Sequence, residues 1–497
     1  MACIQTQKSA PDLLSLLNTA CCAAVIYLCP GDGMVDLMAD TPGFLALLAK
    51  IWAVECDAPP ITNHEVTADF LPASLALFSF TDTSKPKWFD AVHDALGKDP
   101  KETGRITLET LRKRAEQLEL VFGALIADLH ILHVNLHWNL SGTDTPFGLR
   151  DHLFSLEGRQ IVKSVMERLL AYRGENTRQA SICLAFCIKY FMISLQKESG
   201  RAWAYRMYDA PILEAIIQAS IWPTDEDAYL ALALNEITPY ILFRSVLYRA
   251  EKAVDTVADL GLEAQMDKDG PVYQILQRYK KLLNARLEVA DGRSIGTKVC
   301  ENAKCGRIAK SNQLLRCGGC KKVHYCNKEC QKQSWREGGH RTMCGMLKEG
   351  PAGIEFDNEP GEYRLTPEDY KFFRKLVHID VNRFSSDFLK LKAKLGLSKP
   401  DTKMSIVAFV LDYSQGSEVQ IRLEPDPLGT ALAWWGSENG TRVESVAAMV
   451  KRVEQDGPSF GTIVRAILPF GMKPLPVTLM IRLNEAKLHC HFSSAFS

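Results

Sequence analysis

The sequence predicts a multidomain, mainly α-helical protein: a helical scaffold over residues 1–292, a small cysteine-rich module over 296–347, a linker at 348–365 and an α+β domain over 366–497. Three observations carry this. From about residue 11 to 292, apolar residues recur at three- and four-residue intervals, the spacing of one helix face, with glycine and proline clusters between the runs. Between Asp291 and Leu347 that periodicity collapses and cysteine, lysine and glycine take over. Beyond Thr366, short apolar and β-branched runs alternate with helical patterns. The 497 residues are enough for two to four domains, and 46% hydrophobic with 24% charged residues is the balance of ordinary globular chains. Lysine plus arginine (59) equals aspartate plus glutamate (59), which excludes a global field toward nucleic acid or anionic lipid.

In the first region the apolar stretch Leu13 to Cys29 is interrupted by Ser15, Asn18 and Thr19 and lacks a basic leader or small-residue cleavage site, so a buried first helix is expected there, not an export signal or membrane anchor. Further helices are expected at Leu108 to Trp138, Leu153 to Tyr172, Ala180 to Gln196 and Val272 to Val289. No repeat of fixed period emerges, so an armadillo- or HEAT-like stack is an expectation about shape. His130, His133 and His137, spaced three and four apart near Asp128, read as a partly buried polar face because no carboxylate pair accompanies them. Cys183 and Cys187 stand one turn apart among Leu184, Ala185, Phe186 and Ile188, a setting for inert core thiols.

Seven of the fifteen cysteines fall between Cys300 and Cys344. With His340 they make four pairs: Cys300/Cys305, Cys317/Cys320, Cys326/Cys330 and His340/Cys344, separated by four, two, three and three residues. Each spacing lets two side chains reach one ion; the last two suit a helical turn, and Cys317-Gly318-Gly319-Cys320 suits a tight turn whose glycines take backbone conformations other residues resist. Eight ligands imply two closed tetrahedral sites, and zinc accepts sulfur and nitrogen together with no redox liability. Spacing alone leaves open whether neighbouring or alternate pairs share an ion. Thiolate chemistry of this kind belongs to a reducing compartment, so an intracellular protein is expected.

Cys317-x2-Cys320, Tyr325-Cys326-x3-Cys330-Gln331, Trp335, His340 and Cys344 resemble the MYND zinc finger. Two loops differ from the family's usual pattern: four residues separate Cys300 from Cys305, and four separate Trp335 from His340, where two are more usual in each. The resemblance implies an interleaved arrangement, Cys300, Cys305, Cys326 and Cys330 on one zinc and Cys317, Cys320, His340 and Cys344 on the other. Both ions are structural, with no open position for an activated water. It also implies that Gln331 and Trp335 help receive short Pro-x-Leu-type segments of a protein partner.

The residues themselves suit that role. Asn327 is placed to cap a short helix that Gly338-Gly339 ends, and Gln331 and Trp335, four apart, share one face of it. An indole platform beside an amide fits an extended proline-containing peptide. Ten Lys/Arg against Glu301, Glu329 and Glu337 give the module +7, which zinc thiolate sites of about −2 and −1 reduce to roughly +4. With no recognition helix or interleaved aromatics, nucleic-acid binding is not expected.

After a linker rich in glycine and proline, Thr366-Pro367-Glu368 opens a helix. Strands are expected at Met404 to Tyr413, Val419 to Leu423, Thr462 to Leu468 and Val477 to Leu483, and a helix at Val443 to Val453; Trp434-Trp435 suits either core or a ligand surface. No Walker loop, dinucleotide fingerprint or nucleophile elbow occurs, and the Asn-His-Ser-Cys-type motif of SET lysine methyltransferases is missing. The expected function is that of a non-enzymatic intracellular adaptor in cytoplasm or nucleus, reading proline-containing peptides through a zinc-stabilised module. The alternatives are an enzyme with an unrecognised site in residues 366–497, a SET-type relative, or a nucleic-acid-binding regulator.

Overall fold

The computed structural model describes residues 38, 40–57, 77, 85–137, 149–195, 200–291, 297–300, 302, 305, 307–310, 313–321, 323–336, 340, 341, 344, 367–394, 408–414, 419–424, 462–469 and 475–481. The expectations for Leu13 to Cys29, the linker, Trp434-Trp435 and Val443 to Val453 lie outside them. The chain is mostly helical with small sheets, and it divides into two compact units. One comprises residues 1–194, 209–233 and 255–274, the other 195–208, 234–254 and 275–497.

In the first unit the helices are α1 (Phe44–Asp57), α2 (Lys85–Ala95), α3 (Pro100–Glu116), α4 (Phe122–His137), α5 (Leu149–Leu153), α6 (Leu156–Leu170), most of α7 (Thr177–Leu195) and α9 (Ile212–Ile221). α3 starts as its sequence dictates. Asp99 accepts the Lys101 amide at 2.9 Å, Pro100 takes the first helical position, and Glu102 occupies the first turn. It packs against α4, α5 and α6 through Ile106, Leu108 and Leu111, all buried.

The single helix expected from Leu108 to Trp138 is two helices, broken at Gln117 to Val121. The run Arg112 to Gln117 has no apolar residue larger than Ala115 to hold a continuous rod against the core, and Leu118 stands 75% exposed. The Arg168 guanidinium of α6 completes the break by donating to the carbonyls of Arg114 (3.3 Å), Ala115 and Leu118 (2.9 Å). Carbonyls at and just past a helix end run short of amide donors, and here a side chain supplements them. The helix expected from Leu153 likewise starts later. Ser155 accepts the Gly158 amide at 3.2 Å and α6 begins at Leu156.

Among the described residues α7 alone is long and apolar enough to cross a membrane by length and composition, and 72% of that apolar window is buried inside the protein, as in a core helix. Cys183 and Cys187 are buried in it, and burial pushes both thiols well above their ordinary range. His130 and His133 pack edge-on against Phe186, at 5.5 and 5.8 Å between ring centroids. Asp128 pairs with Arg114 of α3 at 3.1 Å.

The second unit holds α8 (Gly200–Met207), the 3-10 turn Thr238–Leu242, most of α11 (Arg244–Asp259) and α12 (Pro271–Asp291), the cysteine-rich module, and the C-terminal α+β residues; α10 (Asp227–Ile237) runs through both segments of the chain. The C-terminal part has α14 (Pro367–Arg383), α15 (Ser385–Lys394) and strands β5 (Ala408–Asp412), β6 (Gln420–Glu424), β7 (Thr462–Leu468) and β8 (Leu475–Ile481). Sheet order is β6-β5-β7-β8. The central pair is parallel, Phe409 opposite Val464 and Asp412 opposite Ile467, with antiparallel neighbours on both sides. β5 is buried throughout and β7 from Ile463 on, which accounts for their largely apolar runs, and Arg465 of β7 and Asp412 of β5 are buried with them.

Charged groups are buried here as well. Arg286 of α12 is 3% exposed, and burial lowers its guanidinium to about 10, with Asp380 and Tyr413 close by. The Tyr413 hydroxyl donates to Asp380 at 2.8 Å. Lys375 of α14 donates to the carbonyl of Val289 on α12.

Candidate metal centre

The cysteine-rich module is built from two small hairpins and one helix. β1 (Thr297–Val299) pairs with β2 (Ile308–Lys310), β3 (Leu315–Arg316) pairs with β4 (His324–Tyr325), and α13 (Lys328–Arg336) follows. Each hairpin turn presents two sulfurs. In the first, the Cys300 amide donates to Arg307 at 2.8 Å and that of Cys305 to Asn302 at 2.9 Å. In the second, the Cys317 amide donates to Val323 at 3.0 Å and that of Lys321 to Cys317 at 2.9 Å. α13 carries Cys330, and Asn327 caps it by accepting the Cys330 amide at 2.9 Å.

The glycines of the second turn act differently from expectation. Neither Gly318 nor Gly319 has a positive φ; the left-handed residue is Lys321, at φ 53°. Gly319 is required for space instead, since a Cβ there would lie 2.8 Å from the Cys344 sulfur, while one on Gly318 would meet nothing within 4 Å.

The ligand atoms gather into two groups, each with all its atoms within 4.8 Å of one another: Cys300, Cys305, Cys326 and Cys330, and Cys317, Cys320, His340 and Cys344. The grouping is interleaved, first pair with third and second with fourth. Zinc fits both. Tetrahedral zinc with Zn–S of about 2.3 Å and Zn–N of about 2.0 Å sets edges of about 3.8 Å between sulfurs and about 3.5 Å between sulfur and nitrogen. The structure has Cys305 to Cys326 at 3.6 Å, Cys317 to Cys344 at 3.8 Å, and His340 Nε2 at 3.3 and 3.8 Å from the sulfurs of Cys317 and Cys320. Each set has four donors, so two structural zinc ions fill the module with no coordination position left over.

The two sites differ in exposure. The four ligands of the mixed site are all buried, whereas in the all-cysteine site Cys305 is exposed and Cys326 and Cys330 are half-buried. Without an ion, burial pushes the Cys344 thiol up to about 11, and burial also raises Cys300, Cys326 and Cys330. Cys305 is lowered, chiefly by the backbone N–H of Arg307.

The MYND finger family matches residues 300–344, the span of these eight donors. Residues 300–344 are a MYND finger. Such fingers are protein-interaction modules. Two relatives are similar to longer stretches of the chain. Histone-lysine N-methyltransferase ASHR1 of Arabidopsis thaliana is 26% identical over 121 residues, which is 24% of this chain and 22% of that enzyme. An F-box protein of the same plant is 29% identical over 94 residues, 19% of this chain and 26% of that protein. The chain therefore spans about a quarter of each relative's length. No solved structure matches it.

The MYND finger's few apolar residues pack directly on its metal ligands. Tyr325, fully buried, lies edge-on to His340 at 5.9 Å, and its hydroxyl donates to Ser334 at 3.3 Å. Asn302, also buried, donates its amide to Gln333 at 2.8 Å and ties the first hairpin to α13. Sequence reading missed Asn302 and Ser334. Their one signal was position: a small polar residue inside a hairpin turn, and one a turn beyond Cys330. Trp335 lies edge-on to His340 at 5.7 Å and is still 39% exposed. Gln331, one turn earlier, is half-buried.

Proposed function

We propose that this chain is an intracellular adaptor, resident in cytoplasm or nucleus and without catalytic activity of its own, that uses its MYND finger to hold an extended, proline-containing segment of a protein partner. The observation that carries the proposal is Trp335. Its indole packs edge-to-face with the metal ligand His340, while over a third of it faces solvent one helical turn from Gln331. A large aromatic held rigid and exposed is the kind of anchor that concentrates binding energy. The helical residues before the finger serve as the scaffold, of armadillo or HEAT type, and α12, the last of these helices, packs with the α+β residues after it. Titration of the full chain with proline-containing peptides tests the role. Trp335→Ala should weaken binding at least about tenfold with both zincs retained; unchanged binding in a zinc-loaded variant contradicts it.

A second reading has the similarity to the histone-lysine N-methyltransferase behind it: a relative of that enzyme class that binds S-adenosylmethionine. Against it stands the missing Asn-His-Ser-Cys-type motif. Isothermal titration of the purified chain with S-adenosylmethionine separates the two, since an adaptor should give no heat of binding.

A further inference from the structure

The outer face of α13 carries more than the two residues assigned to the peptide. At about 100° per residue, Lys328, Gln331, Lys332, Trp335 and Arg336 fall within about 140° of arc. Cys330, a metal ligand, and the buried Ser334, which accepts from Tyr325, lie on the other side of the helix. Lys328, Lys332 and Arg336 are all exposed. Lys332 meets Glu329 at 3.0 Å with both side chains largely in solvent, where such a pair exchanges readily. Among the described residues, Lys328 and Arg336 form no ion pair.

We propose that the segment received on this face carries acidic side chains beside its apolar anchor, the carboxylates meeting Lys328, Lys332 and Arg336 while the anchor lies on Trp335. This rests on the peptide-reading role and adds the charge and spacing of the ligand. Lys328 lies about 10 Å along the helix axis from Trp335 at 1.5 Å per residue, and an extended peptide covers that in about three residues. An acidic residue three positions from the anchor therefore reaches Lys328, and one placed one or two positions away reaches Lys332. Charge complementarity also favours a peptide over a nucleic-acid strand. A strand presents a charge at every nucleotide and gains from a row of stacking aromatics, whereas the outer face of this helix offers one indole, one amide and three cations, with Glu329 at its margin.

The experiment uses the full zinc-loaded chain and synthetic fluorescent peptides sharing one Pro-x-Leu anchor, flanked by Asp/Glu, by Asn/Gln or by Lys/Arg, titrated at low and high salt. Two or three exposed ion pairs should make the acidic peptide about tenfold tighter than the neutral one at low salt, with the difference closing at high salt. The double variant Lys328→Glu/Lys332→Glu, with both zincs verified, should reverse the order and prefer the basic peptide. Equal affinities for all three peptides, each abolished by Trp335→Ala, overturn the charge inference and leave the peptide-reading role standing. Peptides that do not bind, or that bind regardless of Trp335→Ala, overturn the role itself and this inference with it. A single-stranded oligonucleotide that displaces the acidic peptide and binds more tightly than it does overturns the inference in favour of nucleic acid.

Discussion

At the scale of single residues, Gly319 shows how tightly the second zinc site is packed. The close approach of its Cα to the Cys344 sulfur leaves no room for a methyl group, and the nearest obstacle is a metal ligand that cannot move away without leaving the ion. Gly319→Ala should therefore lose zinc from the mixed site and return one ion per chain, while Gly318→Ala, with open space around it, should keep two. Loss of zinc in both variants would contradict the geometry. The protonation of the thiols gives a second prediction. A Cys344 thiol raised to about 11 is protonated at neutral pH in the metal-free finger, so zinc must displace that proton to bind. Affinity for zinc should thus fall as pH falls, by about tenfold per unit for each proton displaced. Competition with a chelator between mildly alkaline and mildly acidic buffer checks the slope; a flat profile would contradict it.

The roles of the eight donors were legible in the sequence because their spacing is a chemical pattern that survives without knowledge of the fold. The role of Gly319 was not, because its neighbour Cys344 is distant in sequence and only the folded turn brings their atoms together. Asn302 and Ser334 were hidden for the same reason. Their partners, Gln333 and Tyr325, lie across the module.

At the scale of elements, the two metal sites should respond differently to a competitor. A chelator or oxidant must reach a thiolate, and the all-cysteine site offers exposed Cys305 while the mixed site offers no exposed ligand. Limited exposure to a chelator should remove the first zinc in a fast phase and the second in a slower one, with cysteine alkylation in the fast phase mapping to Cys305, Cys326 and Cys330. A single phase, or alkylation first at Cys317 or Cys320, would contradict this. The break between α3 and α4 makes an element-scale prediction of its own. Arg168→Met removes a cationic donor shared by three carbonyls of that break and should destabilise the first unit by about 2 kcal/mol, read as a lower denaturation midpoint. The sequence could not show this break, because it contains no glycine or proline and its cap comes from a side chain some fifty residues away. Strands were easier. Thr462 to Leu468 is a strand as expected, since β-branched residues bounded by turn residues mark it locally, but the parallel pairing of β7 with β5 depends on a crossover that no local pattern encodes.

For the whole molecule, the division of labour is between cores held by apolar burial and a finger held by metal. The helices have their own buried interiors, from Leu48 and Trp52 through Ile216 and Leu247 to Leu276, whereas the finger's core is mostly its own ligands with Val323 and Tyr325. Structural zinc contributes about 10 to 16 kcal/mol per ion in small fingers, far beyond what those two side chains supply. Cys320→Ala should accordingly unfold the finger and leave the far-ultraviolet helical signal nearly unchanged. A global loss of helicity would show that the finger is structurally required elsewhere.

Eight soft donors clamp two zinc ions and so shape the surface around Trp335. Metal analysis of the purified, reduced chain by inductively coupled plasma mass spectrometry tests this most directly. Two zinc ions per chain are expected; no zinc, or the same cysteines recovered as disulfides, would rule the metal clamp out.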